Sequence, residues 1–305
     1  MPRAPSGSTI RRVLENIDAD AADLLVGRWL AQRARRMAQE ACDTEARFGL
    51  AMDGKTVRGS GAGDPEANVK LFSAMLHHEA IVIAQIRVPP ATTEVTQVKE
   101  PLDPVDSTGA VVTGDAAHTR HATAEYLIGR DADYVLTLKA NQPTLLGQVA
   151  AKLFATAEGP RHREEDRSHG RIAHRQIQAA PAEGIDFPGA AQIFRIRRDV
   201  FDLAGQRLSK EVVHGITSLT VEQALAGWVR THRGIENKSH YVRDVVFGED
   251  HQHAYLGASA QAMATFGNLA LGLLRLAGIT EIKRTLERIA ANRTRILPIL
   301  AASRP

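Results

Sequence analysis

Residues 110–138 read AVVTGDAAHTRHATAEYLIGRDADYVLTL, and three elements can be parsed from them. Ala110–Thr113 is a short β-branched, apolar run that reads as a buried strand and leads into Gly114-Asp115. Thr123–Ile128 follows with helical character, and Tyr134–Leu138 is a second strand. Upstream, Phe48–Met52 is an apolar strand ending at Asp53-Gly54-Lys55. Val69–His77 and Ile81–Val88 are two more strands, separated by the polar His78-Glu79 turn. Three consecutive strands and then two separated by helices predict an α/β fold, a mixed sheet flanked by helices.

Outward from this centre the chain changes character twice. At the N-terminal side, Ser8 is placed to cap a helix whose apolar positions are Ile10, Val13, Leu14 and Ile17. Asp18 or Asp20 starts a second helix, expected to bury Leu24, Leu25, Trp29 and Leu30 and to end at Arg33, Arg35 and Arg36, cations that suit a helix C-terminus. Thr92–Leu102 and Leu145–Thr156 read as helices. Residues 157–220 break the rhythm: charged Arg161–Arg175 leads into strands at Gln192–Ile196, Val200–Leu203 and Glu211–Ile216, a β-rich insertion. From Val221 a long helix runs to about Val242, followed by helices over Ala260–Leu276 and Glu281–Ala290. The expected organisation is an N-terminal helical segment (1–46), a first α/β part (47–156), the insertion (157–220) and a helical C-terminal part (221–305).

Composition narrows the classes. The chain has 305 residues, 44% hydrophobic and 24% charged, enough to bury a sizeable core. Mean hydropathy is −0.21, and the apolar run Asn268–Ile279 is too short to span a bilayer and carries Arg275. Met1–Pro5 has no apolar signal core, so a cytoplasmic protein without a membrane partner is expected. The single cysteine, Cys42, allows neither an intrachain disulfide nor a cysteine-rich zinc site. Lys plus Arg outnumber Asp plus Glu only by 38 to 35, so nucleic-acid contact would depend on local patches.

Two acidic residues share one setting. Asp53 and Asp115 each follow an apolar strand and stand beside a glycine, in Ala-Met-Asp-Gly-Lys and Val-Thr-Gly-Asp-Ala. Carboxylates held close repel unless a cation or proton lies between them, and hard oxygen donors favour Mg²⁺ or Mn²⁺. The competing reading is that each Asp only turns the chain after its strand. Glu236 is the best third carboxylate. His232, Glu236 and His240 recur every four residues, with Arg243 seven after the Glu, so one helix would carry them as a column. That column also admits a solvated stripe or a transition-metal site.

The segments AMDGKTVRGS, VVTGDAAHT, YVLTLKANQPTL, HGRIAHR, PGAAQIFRI, GITSL, RGIENKSHYVRDVVFGED and MATFGNLALGLLRLAG together resemble the H-repeat-associated family of insertion-sequence transposases. They occur in family order from about residue 5 to residue 300. The resemblance implies a DDE transposase with a ribonuclease H-like core and a β-rich insertion between the second Asp and the catalytic Glu. It places the catalytic and metal-binding carboxylates at Asp53, Asp115 and Glu236, holding two Mg²⁺ or Mn²⁺ ions. It implies metal-dependent strand cleavage and strand transfer on terminal inverted repeats and target DNA, by a homodimer assembled on the DNA. DNA-contacting roles are implied for Lys55, Arg58, His118, Lys139, Asn141 and Arg243, and for the insertion's basic cluster Arg171, His174 and Arg175.

The sequence departs from the family in three places. Arg233 stands where an aromatic is common, Ala91-Thr92-Thr93-Glu94 lacks a basic residue, and the chain begins almost at PSGSTIRRVL, which suggests a shortened copy. A DNA-binding remnant without activity, or a ribonuclease H-like nuclease, are the alternatives.

Overall fold

The computed structural model describes residues 4–40, 48–156, 161–168, 170–220 and 225–302. In chain order the elements are α1 (Gly7–Asn16), α2 (Ala19–Glu40), β1 (Gly49–Val57), β2 (Val69–Leu76), β3 (Val82–Arg87) and a single turn, α3 (Lys99–Leu102). Then come β4 (Val111–Gly114), α4 (His121–Ile128), β5 (Asp133–Leu138) and α5 (Pro143–Ala155). Four strands follow: β6 (Arg161–Ser168), β7 (Arg171–Pro181), β8 (Gln192–Asp202) and β9 (Arg207–Thr217). The chain closes with α6 (Leu225–His232), two π-helical stretches (Ile235–His240 and Val242–Val246), α7 (Ser259–Leu276), α8 (Ile282–Ala291) and α9 (Ile296–Ala302). The fold is α/β, with the β-rich segment lying between Asp115 and Glu236 as expected. Cys42 and Val221, invoked above, lie outside the described residues. Among the described residues no helix is long and apolar enough to cross a membrane.

The chain forms two compact units, Met1–Asp106 with Arg233–Pro305, and Ser107–His232. In the first, β3, β2 and β1 pair antiparallel in that order, with Asp53 opposite Ser73 and Ser73 opposite Gln85. Leu50, Met52, Leu71, Phe72 and Met75 are completely buried, and since the consecutive Leu71 and Phe72 point to opposite faces, both faces of these strands are covered. α2 packs on β3 and α7. The contact is close because position 27 is glycine: a Cβ there would lie 2.3 Å from the Ile83 carbonyl oxygen.

Several local expectations change in this unit. Ser6, rather than Ser8, caps α1, its Oγ accepting from the Thr9 N–H at 3.2 Å. Asp18 caps α2 through the Ala21 N–H at 2.9 Å. The buried stripe of α2 is Ala19, Asp23, Gly27, Leu30 and Ala34, while Leu24 and Leu25 are exposed. β1 does not stop at Asp53; it runs to Val57 through Gly54 and Lys55. The Thr92–Leu102 helix reduces to a 3₁₀ turn, Glu94–Thr96, and α3.

In the second unit six strands form a mixed sheet in the order β4-β5-β9-β8-β7-β6. β4 and β5 are parallel, joined through α4, and the remaining pairs are antiparallel. Val111, Val135, Ile177, Phe194 and Ile196 form a core against which Trp228 and Val229 of α6 pack. α5 lies on the other face, where Gln178 donates to the Leu153 carbonyl at 2.7 Å. Charge density hid β6 and the first half of β7, which the sequence reading left as a charged lead-in.

Candidate active site

Asp53 stands in the middle of a strand, and the π-helix beside β1 explains how a charged sequence can continue as strand there. On one face of β1, Ala51 packs on Ile235, Asp53 meets His240 and Lys55 meets Asp244. Residues two apart on a strand are about 6.6–6.8 Å apart, and Ile235, His240 and Asp244, five and then four residues apart along the two π-helical stretches, supply successive partners. Asp53 Oδ1 accepts from the Gly54 N–H at 2.9 Å, and Oδ2 lies 3.6 Å from His240 Nδ1. Burial, reinforced by the nearby Arg243 and Lys55 cations, lowers the His240 pKa to about 3. A neutral imidazole therefore faces the carboxylate. Glu236 is exposed on the same π-helix.

Asp115, in the second unit, ends β4 in a tight polar loop. Its Oδ1 accepts from the Ala117 N–H at 2.8 Å, and its backbone oxygen accepts from the His118 N–H at 3.1 Å. Lys139 Nζ lies 3.8 Å from Asp115 Oδ2. The segment after β5 holds this loop from outside: Asn141 donates to the Ala116 carbonyl at 3.0 Å and Gln142 donates to the Thr119 carbonyl. Thr119 Oγ1 in turn donates to the Thr137 carbonyl at 2.5 Å. The KANQ segment thus fixes the loop that presents Asp115.

Burial withdraws four of the expected DNA contacts. The Lys55 side chain is only 4% exposed, paired with Asp244 and 3.7 Å from Glu249. Arg243 is fully buried: Nε and Nη2 bind Glu249 at 2.7 and 2.8 Å, and Nη1 binds Asn268 at 3.1 Å and Gln85 at 3.3 Å. His118 is enclosed, and its pKa is lowered by burial against the opposing pull of Asp115. The Arg175 side chain is 11% exposed, its pKa lowered by burial and by Arg198 and Arg230. Arg58, Lys139 and Arg171 are the accessible cations of the set, the first two with side chains 78% and 70% exposed, and Asn141 is exposed as well.

The buried Arg243 opens a polar network that the sequence did not reveal. Gln85, which accepts from Arg243 and from Asn268 Nδ2 at 2.9 Å, donates to Asp23 Oδ1 at 2.9 Å. Gln261 and Thr265 of α7 also donate to Asp23, at 2.9 and 2.6 Å. The π-helix, β3, α2 and α7 are joined by one hydrogen-bonded chain. Burial nonetheless raises the Asp23 pKa to about 6, outweighing these donors. An acidic residue after the helix, Glu249 in GED, was the only sequence signal for this arrangement.

Each histidine of the column has a partner within its own unit. His232 Nδ1 is hydrogen-bonded to Thr113 Oγ1 at 2.8 Å, whereas His240 turns to Asp53. Among the described residues no group of three or more His, Cys, Asp or Glu is gathered around a metal position. The donor chemistry of Asp53, Asp115 and Glu236 still suits a hard divalent cation: all are carboxylates, and both aspartates have Oδ1 anchored by a backbone N–H.

Comparison with known proteins agrees with the sequence resemblance. The family described as Transposase DDE domain matches residues 46–273, a span that holds all three carboxylates. A protein of Escherichia coli O157:H7 named "Putative transposase YncI" is 27% identical over 98% of this chain and 78% of its own length. The "H repeat-associated putative transposase YhhI" of Escherichia coli K12 is 27% identical over 83% of this chain and 71% of its own length. Among solved structures, the piggyBac transposase synaptic complex with hairpin DNA aligns with 89% of this chain and 53% of its own, at 11% identity and a TM-score of 0.40. The family match covers most of the chain, and the chain belongs to the Transposase DDE domain family.

Proposed function

We propose that this protein catalyses divalent-metal-dependent cleavage and joining of DNA strands at the ends of an insertion sequence, with Asp53, Asp115 and Glu236 as the metal-holding carboxylates. The observation that carries the reading is the family match, supported by the anchoring of both aspartates through Oδ1. Mg²⁺ or Mn²⁺, probed as two ions, would supply Lewis acidity for attack on a phosphodiester and for departure of the leaving oxygen. The chain's own residues provide the frame. His240, held neutral, orients Asp53 without competing as a fixed cation. Asn141 and Gln142 hold the loop that presents Asp115, and Lys139 offsets its charge. Arg58 and Lys139, both exposed, are the cations this reading assigns to phosphate. The DNA partners are the element's terminal inverted repeats and a target duplex, worked on by a homodimer.

The test is nicking of labelled DNA carrying the element's flanking ends, with Mg²⁺ or Mn²⁺ added, beside Asp53→Asn, Asp115→Asn and Glu236→Gln. The expected result is metal-dependent cleavage that each substitution abolishes while the fold persists. Cleavage retained in one variant removes that carboxylate from the set. Salt-sensitive DNA binding by every protein with cleavage by none overturns the enzymatic reading in favour of a DNA-binding remnant.

A further inference from the structure

The four-stranded arm β6–β9 has two faces of opposite electrical character. The register places Arg163, Gln176, Arg197 and Val212 in one row across the arm, and Glu165, His174, Asp199 and Lys210 in a second row on the same face. Gln178, Arg195 and His214 form a further row of that face. By the same alternation, Glu164, Arg175, Arg198 and Glu211 share a row of the opposite face.

Helices cover only the inner end of each face. α5 reaches the first face at Gln178, and α6 packs on the opposite one through Ile177 and Ile196. Beyond the Gln178 row the first face carries Arg163, Arg167, Arg197, Arg207 and Lys210, with half-buried Arg195 at the edge of α5, against two acids, Glu165 and Asp199. Both acids are engaged by these cations. Asp199 receives Arg197 in bidentate geometry at 2.6 and 3.1 Å and has Arg207 at 3.7 Å; Glu165 accepts from Arg167 at 2.8 Å and has His174 at 3.5 Å. The acids therefore fix guanidinium orientation and leave a clear positive surplus. On the opposite face Arg171, Arg175 and Arg198, with Arg230 of α6 beside Glu164, are met by Glu164, Asp166, Asp202 and Glu211, so no positive surplus exists among the described residues.

We infer that the first face of the β6–β9 arm is a docking surface for the phosphate backbone of duplex DNA, read chiefly by Arg163, Arg195, Arg197, Arg207 and Lys210. The inference rests on the transposase reading and moves the insertion's DNA contact from Arg171 and Arg175 to the other side of the sheet. Neighbouring strands about 4.7–4.9 Å apart and same-face residues about 6.6–6.8 Å apart spread these cations as a two-dimensional lattice. A duplex, an extended polyanion with one charge about every 1.7 Å of axis, is the partner whose charge sign and extent complement such a lattice. Backbone contacts of this type position DNA without reading its sequence.

The experiment is a salt titration of a labelled random-sequence duplex with the full chain. It compares Arg163→Gln, Arg195→Gln and Lys210→Gln, singly and combined, with Arg230→Gln on α6 behind the opposite face. Thermal unfolding of each variant checks that the fold is retained. The expected result is a binding constant falling several-fold per substitution, with the log–log salt slope flattening by about 0.9 for each lost phosphate contact. Arg230→Gln should bind as the parent does. Parental affinity and slope in the triple variant would overturn the surface while leaving metal-dependent cleavage intact. Absence of duplex binding by the unsubstituted chain would overturn the transposase reading together with it.

Discussion

Arg243 and Glu249 form a fully buried bidentate pair, at 2.7 and 2.8 Å, six residues apart on either side of the Gly248 turn. Gly248 takes φ +71°, which lets the chain reverse tightly enough for the pair to close. Removing one partner of a buried pair leaves an uncompensated charge, at about 3–5 kcal/mol. Arg243→Met should therefore destabilise the protein by about that amount in urea unfolding. Arg243→Lys should recover only part, because a lysine cannot make both contacts. Unchanged stability in Arg243→Met would restore the surface role that its position in the sequence suggested.

Asp23 gives stability a pH dependence of known sign. Its folded pKa of about 6 exceeds the ordinary value of 3.8, so the native state holds this proton more tightly than the unfolded chain does. The contribution is fully present below about pH 3.8 and is lost as pH rises through about 6. Asp23→Asn should remove that downward slope, whatever its effect on absolute stability. Urea unfolding of both proteins across this window checks it; parallel pH profiles would exclude Asp23 as the source.

Gly27→Ala sets two effects against each other. Helix propensity favours alanine by about 1 kcal/mol. The new Cβ, however, would stand 2.3 Å from the Ile83 carbonyl oxygen, a backbone atom that cannot swing aside. Overpacking of this kind costs about 1–3 kcal/mol, so net destabilisation is expected in thermal unfolding. A stabilised variant would mean that α2 does not approach β3 so closely.

Asn141→Ala removes the hydrogen bond that holds the Asp115 loop at Ala116. A single neutral hydrogen bond is worth about 0.5–1.5 kcal/mol, which as lost positioning corresponds to a roughly 2- to 10-fold slower cleavage. Duplex affinity and its salt slope should stay at the parental values, since the role is internal. A flattened salt slope would instead identify Asn141 as a DNA contact.

The strands that were legible in the sequence are those with apolar alternation or β-branched runs, such as Val111–Gly114 and Asp133–Leu138. β6, RHREEDRS, carries no apolar face because it is the outermost strand of its sheet and needs no core side. The buried stripe of α2 escaped because it is built from alanine, glycine and an acid rather than from its leucines. The strand-end setting read for the two aspartates holds for Asp115 but not for Asp53, which lies inside β1, and the fate of the cations was not readable at all. Lys55 and Arg243 look like surface charges until Asp244 and Glu249, far along the chain or across a turn, are seen to bury them.

The first unit is made from two pieces of chain with residues 107–232 between them. During synthesis β1 therefore emerges long before the helix that faces it, a delay of about ten seconds or more at 5–20 residues per second. In that interval Lys55 has neither Asp244 nor Glu249 to neutralise it, and Asp53 has no His240 beside it. The contiguous middle unit can mature on the ribosome while the discontinuous one waits for its closing segment. A chain ending before residue 233 would carry a finished arm and a β1 strand without the helix that faces it.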